Sequence, residues 1–308
     1  MSLANLNQQT EPEMANLAVV EEQAISAEES YLQMVVRRFK KHKLAVFGLV
    51  IMIILGLMAI LAPLIAPYSP YEVNDTFSAQ PSSEHWLGTD QVGRDILSRL
   101  IYAARVSLMV GVGAVAISVT VGTVLGLLSG YYGGKVDMVI MRITDVFMSF
   151  PHLMLILVVV SVVGPSLTNI IIVIGVLYWT GVCRLVRGSV LQVKQLDYIK
   201  ASVVLGLKTP RILFQHVLPN VMAPILVNGT FGIAAAIIIE ASLSFLGLGV
   251  QPPIASWGNM LTDAQSLTVL SSQPWVWVPP GLLIMITVLS VNFIGDGLRD
   301  ALDPKSIK

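Results

Sequence analysis

The sequence predicts an all-α membrane protein with six transmembrane helices and both termini in the cytoplasm. Of its 308 residues, 55% are hydrophobic and only 12% are charged, and the mean hydropathy is +0.75. An ordinary soluble domain carries about 25% charged residues. Two further observations support this fold class: apolar stretches long enough to cross a bilayer recur along the chain, and Lys and Arg are distributed unevenly between the loops.

Two segments are expected before and around the first span. Residues 1–30 contain no Lys or Arg and are rich in Asn, Gln, Ala and Glu. This composition predicts a disordered cytoplasmic tail and lacks the basic start of a secretory signal. Residues 31–66 are interpreted as a short amphipathic helix on the inner membrane surface, with Arg37 and Arg38, followed by the first span.

A transmembrane helix needs about 20 predominantly apolar residues. Six stretches reach or approach this length, and their boundaries are Leu44–Ala66, Val106–Ser129, Val139–Val163, Leu167–Val182, Val221–Phe245 and Val278–Ile294. The third contains Arg142 and Asp145, three residues apart, for which an ion pair near the inner surface is favoured over a proton relay.

The positive-inside rule sets the orientation. With the N-terminus inside, the outer loops hold only Arg94, Arg99 and Arg105, and the other 16 of the 19 basic residues lie in or beside inner segments. The resulting division is residues 67–105 as an external loop, 106–294 as a five-span core that contains the internal loop 183–220, and 295–308 as a cytoplasmic tail.

The internal loop has more helical patterning than a connection needs. Lys200–Leu205 suits a short helix, and Gly206 allows a turn that a side chain would obstruct. Thr209–Pro210 looks like the cap and first turn of a second short helix, which Pro219 would end. Such a pair would form a compact knob for a partner protein, although these residues alone leave an ordinary basic loop equally open.

Small and polar residues in the spans have two readings each. Small residues recur at intervals of four along one face of the second span and permit close helix packing. Packing within this chain is preferred over packing against a partner. The residues are Ser118, Gly122, Gly126 and Gly130. The polar groups that could line a wide, watery path are Ser149, His152, Asn228, Thr230 and Glu240. Each could instead serve helix packing, and Glu240 could equally bond the backbone before Ser242.

The outer segments are open to two readings as well. The external loop is either a dock for a soluble partner or a lid on the bundle, and Ser98–Arg105 suits an amphipathic helix on the outer face. Three tryptophans are interpreted as an aromatic belt at the outer interface, namely Trp257, Trp275 and Trp277.

The sequence predicts no catalytic, cofactor or metal site. Cys183 is the single cysteine, which excludes a disulfide framework, and the four histidines have no metal-ligand spacing. Gly134–Lys135 resembles the end of a phosphate-binding loop, but Ser129 and Val136 occupy positions that must be Gly and Ser or Thr. No nucleophile–base motif is present, which argues against an intramembrane hydrolase.

Several motifs resemble those of bacterial ABC-importer permeases. The internal loop is similar to the pattern Glu-Ala-Ala, three residues, Gly, nine residues, Ile, any residue, Leu-Pro, with Lys200 and His216 replacing Glu and Ile. The stretches that resemble the C-type permease of dipeptide and oligopeptide importers are Leu87–Asp90, Gly93–Asp95, Leu97–Arg99, Ala104–Leu108, Phe245–Gly249, Gln251–Pro253, Ser256–Gly258 and Gly295–Pro304. The resemblance extends from about residue 35 to the C-terminus.

The resemblance implies an ABC-importer permease fold and a permease subunit that imports dipeptides or oligopeptides. Its partners would be a homologous B-type permease, two ATPase subunits (D- and F-type or equivalent) that hold ATP and Mg, and an extracytoplasmic substrate-binding protein, in a lipid bilayer and without nucleic acid. Coupling to the ATPases would pass through residues 197–219, with Lys200, Ala201, Ser202, Gly206, Leu218 and Pro219 at the contact.

Alternatives remain for the substrate and the energy source. The same architecture is compatible with import of nickel, a metal chelate or glutathione. A lone ion-coupled secondary transporter is a remoter reading, because the acids Asp145 and Glu240 are expected near span ends and not at the membrane midplane.

Overall fold

The computed structural model describes residues 31–303, and within that range the chain is helical apart from its loops and one isolated bridge, Thr89–Asp95. Five helices are long and apolar enough to cross a membrane, and two shorter helices bent by 86° form either a broken sixth span or a re-entrant loop. The all-α membrane fold is therefore confirmed, and five of the six predicted spans are continuous helices. The tail predicted over 1–30 and the last five residues of the tail 295–308 lie outside the described residues.

Within residues 31–303 we distinguish twelve helices. They are α1 (Tyr31–Lys41), α2 (Lys43–Ile60), α3 (Ala62–Ile65), α4 (Ile96–Tyr132), α5 (Gly134–Met148), α6 (His152–Val163), α7 (Leu167–Val193), α8 (Asp197–Val204), α9 (Thr209–Phe245), α10 (Trp257–Met260), α11 (Leu267–Ser272) and α12 (Pro274–Leu302). A π-helical stretch, Ile212–Val217, lies inside α9, and a 3₁₀ segment, Leu261–Gln265, follows α10.

The centre of the fold is the close pair α4 and α7. The stripe of small residues on α4 faces α7 of the same chain: a Cβ added to Gly122 would lie 2.7 Å from the Trp179 carbonyl oxygen, and one added to Gly126 would lie 2.7 Å from that of Cys183. Such distances are shorter than a van der Waals contact, so only glycine allows the two backbones to approach this closely.

Both helices of this pair are longer than the sequence predicted. α4 begins at Ile96, so Ser98–Arg105 is the first part of a long helix and not a separate surface helix of the external loop. Asp95 stabilises that start because its carboxylate accepts a hydrogen bond from the Ser98 backbone N–H at 2.8 Å. α7 continues to Val193, beyond the predicted end at Val182.

The third span is broken, contrary to the continuous helix predicted over Val139–Val163. α5 ends at Met148, α6 begins at His152, and the axes diverge by 86°. Pro151 explains the break, since it has no N–H to donate and it disfavours the helical conformation at the residue before it.

The ion pair predicted between Arg142 and Asp145 is absent from the described structure. Asp145 instead accepts a hydrogen bond from Arg184 Nη2 at 2.8 Å, because α5 packs beside α7. Arg142 is exposed.

The amphipathic helix α1 packs on the last turns of α12. Arg38 Nη1 donates to the Asp303 carbonyl oxygen at 3.3 Å, and the Phe39 ring lies against Gly297. The first and last described helices therefore meet at one end of the bundle.

At the other end of the bundle, the predicted aromatic belt is wrong for Trp257. This side chain is fully buried, its indole N–H donates to the Leu100 carbonyl oxygen at 3.2 Å, and its backbone N–H donates to Ser107 Oγ at 3.1 Å. Trp275 and Trp277 are half-buried and pack against the same cluster. Trp257 thus joins the segment after α9 to α4 through hydrogen bonds, and Trp275 and Trp277 add apolar contacts to the same cluster.

Candidate functional site

The helix α8 presents an apolar surface that nothing in the described part of this chain covers. Its inner side is anchored by Ile199, which is 1% exposed and packs among buried side chains of α7 and α9. On the outer side Val204 is 86% exposed and Leu205 is 78% exposed, next to the exposed Val203. We call Val203, Val204 and Leu205 the α8 ridge. A compact run of exposed apolar side chains is typical of a protein contact.

A glycine turn fixes the end of α8. Gly206 has φ +74°, its N–H donates to the Val203 carbonyl oxygen at 3.0 Å, and the Leu207 N–H donates to that of Ser202 at 3.2 Å. This pair of hydrogen bonds is the Schellman motif, which favours glycine at the left-handed position. No atom lies within 4 Å of a Cβ added to Gly206. The requirement for glycine is therefore conformational, and not the steric obstruction that the sequence suggested.

The other residues predicted at the contact differ in exposure. Lys200 and Ala201 are exposed, with Lys200 Nζ 3.4 Å from the Asp197 carboxylate, whereas Ser202 is buried and donates to the Tyr198 carbonyl oxygen at 2.8 Å. Leu218 is half-buried and Pro219 is exposed. The residues that match the loop pattern are therefore partly exposed to a partner and partly packed inside this chain.

The second short helix predicted after Gly206 is not separate. α9 begins at Thr209 without a side-chain cap and runs to Phe245, so Pro219 does not end a helix. The π-helical stretch just before Pro219 explains this continuity: the Leu218 N–H donates to the Leu213 carbonyl oxygen, and these wider turns accommodate a residue that has no N–H. The π stretch places Ile212, Leu213 and Val217 against Ile199 of α8.

A polar cluster ties α4, α5 and α7 together close to α8, and no sequence pattern indicated it. Arg187 makes two hydrogen bonds to the Asp137 carboxylate, at 2.5 and 2.7 Å, and Ser129 Oγ donates to the same carboxylate. Lys194 Nζ, at the end of α7, donates to the Tyr131 carbonyl oxygen at 2.6 Å. Bidentate Arg–carboxylate pairs have well-defined geometry, so this pair fixes the orientation of α5 on the part of α7 that precedes α8.

At the opposite end of the bundle, a pocket of about 510 Å³ lies between the start of α4, the end of α9 and the loops that follow α9 and α10. We call it the Arg99 pocket. Its charged lining residues are Arg94, Arg99 and Asp263. Asp90 Oδ2 lies 2.8 Å from Arg94 Nε and 3.6 Å from Arg99 Nε. Burial and the negative charge of Asp90 raise the pKa of Asp263, and Arg99 and Arg94 oppose that rise.

Comparison with known proteins identifies the family. Residues 122–308 match the model of the binding-protein-dependent transport system inner membrane component, and residues 30–81 match the N-terminal transmembrane domain of oligopeptide transport permease C. The chain belongs to this family of inner-membrane permeases. The resemblance inferred from the loop motifs is thereby confirmed, as is a multi-pass location in the bacterial inner membrane.

Individual relatives agree with the family assignment. The permease is 47% identical to the dipeptide transport system permease protein DppC of Alkalihalophilus pseudofirmus, over 87% of this chain and 88% of that protein. It is 44% identical to the oligopeptide transport system permease protein OppC of Bacillus subtilis, over the same shares of the two chains. Its fold matches a structure of the MetNI methionine ABC transporter in inward-facing conformations, with TM-score 0.56, 19% identity, and 68% and 98% of the two chains covered.

Two of the five residues predicted for a path lie around one side chain of the permease. The rings of His152 and Tyr178 are 5.0 Å apart, and Tyr178, Asn228 and Ser118 line a narrow cleft of about 50 Å³ between α4, α7 and α9. Tyr178 of α7 therefore lies near His152, the first residue of α6, and lines the same cleft as Asn228 of α9.

The other predicted path residues lie elsewhere. Ser149 ends α5 and donates to the Val146 carbonyl oxygen at 2.7 Å. Thr230 donates to that of Val227 at 2.7 Å and lies beside Gly295 of α12. Neither lines the cleft around Tyr178.

Glu240 occupies a site that the sequence did not suggest. It is fully buried, and its Oε1 accepts hydrogen bonds from Ser244 and Ser256, both at 2.7 Å. In this structure Glu240 therefore lies inside the protein, and its hydrogen-bond partners are serine side chains and not the backbone before Ser242. The carboxylate joins the end of α9 to the start of α10, and its partner Ser256 could not be inferred from sequence spacing.

Proposed function

We propose that this permease is a subunit of an ATP-driven importer of dipeptides or oligopeptides. The named relatives, at 44–47% identity over most of the chain, support the substrate class. The α8 ridge is the observation that supports ATP as the energy source. An exposed apolar surface on a helix outside the spans, anchored by the buried Ile199, fits a protein partner better than water.

The proposed assembly divides the work between subunits. A homologous permease supplies the other half of the path, a binding protein delivers the peptide on the outer side, and two ATPase subunits hold ATP and Mg. The α8 end of the bundle faces the cytoplasm in this proposal, in agreement with the positive-inside rule. The energy-yielding chemistry then takes place in the ATPases, and this chain transmits their movement.

Transmission requires that α8 move together with the spans. Ile199 is buried against α7 and α9, and the pair Asp137–Arg187 fixes α5 on α7. A displacement of α8 by an ATPase is therefore passed to α7 and α9, which line the cleft around Tyr178. Alternating access, in which the spans rock between outward and inward openings, follows from such a connection.

Reconstitution tests the proposed function. The permease, its homologous partner, the two ATPases and the binding protein are placed in proteoliposomes, and uptake of labelled dialanine is measured with and without ATP. Uptake that needs ATP and persists when an ionophore collapses ion gradients is expected. Uptake by this chain alone on an ion gradient, or transport of a nickel chelate or glutathione in place of peptides, would contradict the proposal.

Gly206→Val is expected to reduce peptide uptake several-fold while the permease still inserts. A β-branched residue is strongly disfavoured at φ +74°, so the turn relaxes and the α8 ridge shifts relative to α9. Uptake and ATP hydrolysis are measured together, with Gly188→Val as the control, since no atom lies within 4 Å of a Cβ at that helical position either. Equal uptake by Gly206→Val and Gly188→Val would show that the turn at Gly206 is not needed for coupling.

A further inference from the structure

The Arg99 pocket lies far from the α8 ridge, at the other face of the membrane. α4 connects the two ends: Arg99 stands near its start, and Tyr131, which contacts Lys194 just before α8, stands near its end. At about 1.5 Å per residue, the two positions are on the order of 50 Å apart. If α8 faces the cytoplasm, the pocket opens to the outside, where the peptide arrives.

The neutral side chains of the pocket hold its walls in place. Gln251 Nε2 donates to the Gly249 carbonyl oxygen at 3.0 Å, and Asn259 Nδ2 donates to that of Val250 at 3.1 Å. Gly247, at φ +82°, ends α9 in the same Schellman geometry as Gly206 ends α8. The amide donors therefore maintain the loops around the pocket.

The charged groups of the pocket are not fully hydrogen-bonded. Arg99 is only 6% exposed, yet its Nη1 has no hydrogen-bond partner within the described part of the chain. Its neighbour Asp90 is engaged by Arg94 at 2.8 Å and by two backbone N–H groups. The Asp263 carboxylate is half-buried and lies close enough to Arg99 and Arg94 to interact with both electrostatically, without a direct ion pair among the described residues. Arg99 and the half-buried Asp263 line the same pocket, so the pocket offers charges of both signs to a ligand.

We propose that the Arg99 pocket binds a small zwitterion, with the ligand carboxylate at Arg99 and the ligand ammonium group at Asp263. An arginine edge is suited to a carboxylate, and a carboxylate to an ammonium group. The volume lies within the range of about 300–1,000 Å³ typical of small-molecule sites. The inference rests on the proposed function in one respect: a short peptide released by a binding protein is the zwitterion expected at this face.

Chemically blocked peptides test the charge assignment without any mutation. The whole transporter is placed in nanodiscs without ATP or binding protein, and dialanine, N-acetyl-dialanine and dialanine amide are titrated by saturation-transfer NMR. Dialanine is expected to bind about tenfold or more tightly than either blocked form, since each of them lacks one charge-assisted contact. Equal affinity for the three peptides, or no binding of dialanine, would overturn the assignment.

Variants assign each charge to its residue. Asp263→Asn should abolish the preference for dialanine over the acetylated peptide, and Arg99→Gln should abolish the preference over the amide. Arg105→Gln removes the same charge from an exposed position on α4 outside the pocket lining and should bind all three peptides like the wild type. If Asp263→Asn behaves like Arg105→Gln, the pocket is not the site. Because Arg99→Gln alters a buried group, the peptide preference of Asp263→Asn decides the assignment.

The outcomes separate this proposal from the proposed function. ATP-driven peptide uptake by a transporter that shows no preference for the unblocked dipeptide would refute only the pocket. Binding of dialanine with the predicted charge dependence, by a transporter that imports no peptide, would refute only the transport assignment.

Discussion

Replacement of Val204 by glutamate is expected to abolish ATP-driven uptake while the permease stays folded and inserted. Val204 is 86% exposed, so a charge there is hydrated in the free subunit and changes its stability by no more than about 0.5 kcal/mol. At a contact with an ATPase the same charge is buried without a partner, which costs several kcal/mol. Uptake, ATP hydrolysis and retention of the ATPases on the tagged permease are measured in parallel.

Two matched variants identify the cause. Val204→Ile keeps the apolar surface and should transport normally. Gln192→Glu places the same negative charge on an exposed position near the end of α7, outside the three residues of the ridge. If Gln192→Glu stops uptake as strongly as Val204→Glu, general charge at this end of the bundle is responsible. If Val204→Glu transports normally, the ridge is not the site of coupling.

Replacement of Gly126 by leucine is expected to have the largest effect on the fold. An added Cβ would lie 2.7 Å from the Cys183 carbonyl oxygen and 2.7 Å from Val186 Cβ, so α4 and α7 must separate along their contact. Overpacking of this kind costs about 1–3 kcal/mol or more, and here the obstacle is backbone, which does not yield. Thermal unfolding of the detergent-solubilised permease measures the loss.

Gly188→Leu is the control for the packing prediction. Gly188 lies on α7 of the same helix pair, but no atom is within 4 Å of a Cβ at this position. Leucine there should leave the unfolding temperature unchanged or raise it slightly, because it favours helix more than glycine does. Similar losses in both variants would show that bulk anywhere in the pair, and not close backbone approach at Gly126, limits stability.

Much of the fold could be predicted because the bilayer imposes a length on each apolar helix. Five continuous spans and the bent pair α5 and α6 were located in this way, and the small residues on α4 indicated a close helix contact. The errors lie where local chemistry intervenes: Pro151 breaks the third span, and Asp95 starts α4 ten residues before the predicted span. Both residues are visible in the sequence, but a hydropathy pattern gives them little weight.

The candidate site was predicted less completely, because its groups meet only after folding. Gly206 carries a local turn signal and was recognised, whereas the exposure of Val204 depends on the burial of Ile199 by α7 and α9. Asp137 and Arg187 are 50 residues apart in the sequence. Residue spacing predicts contacts within one helix. It does not predict a pair such as Asp137 and Arg187, which lie on different helices.

The length of α4 has a mechanical consequence. Its 37 residues extend over about 55 Å, well beyond the roughly 30 Å of hydrocarbon in a bilayer. Gly122 and Gly126 hold it against α7, so the two helices tilt as one lever. A tilt of about 5° around one end of such a lever displaces the other end by about 5 Å, which is comparable to the dimensions of an amino-acid side chain. In the proposed importer, a small displacement of α4 and α7 at the end near α8 would therefore move their opposite ends by about the width of a side chain.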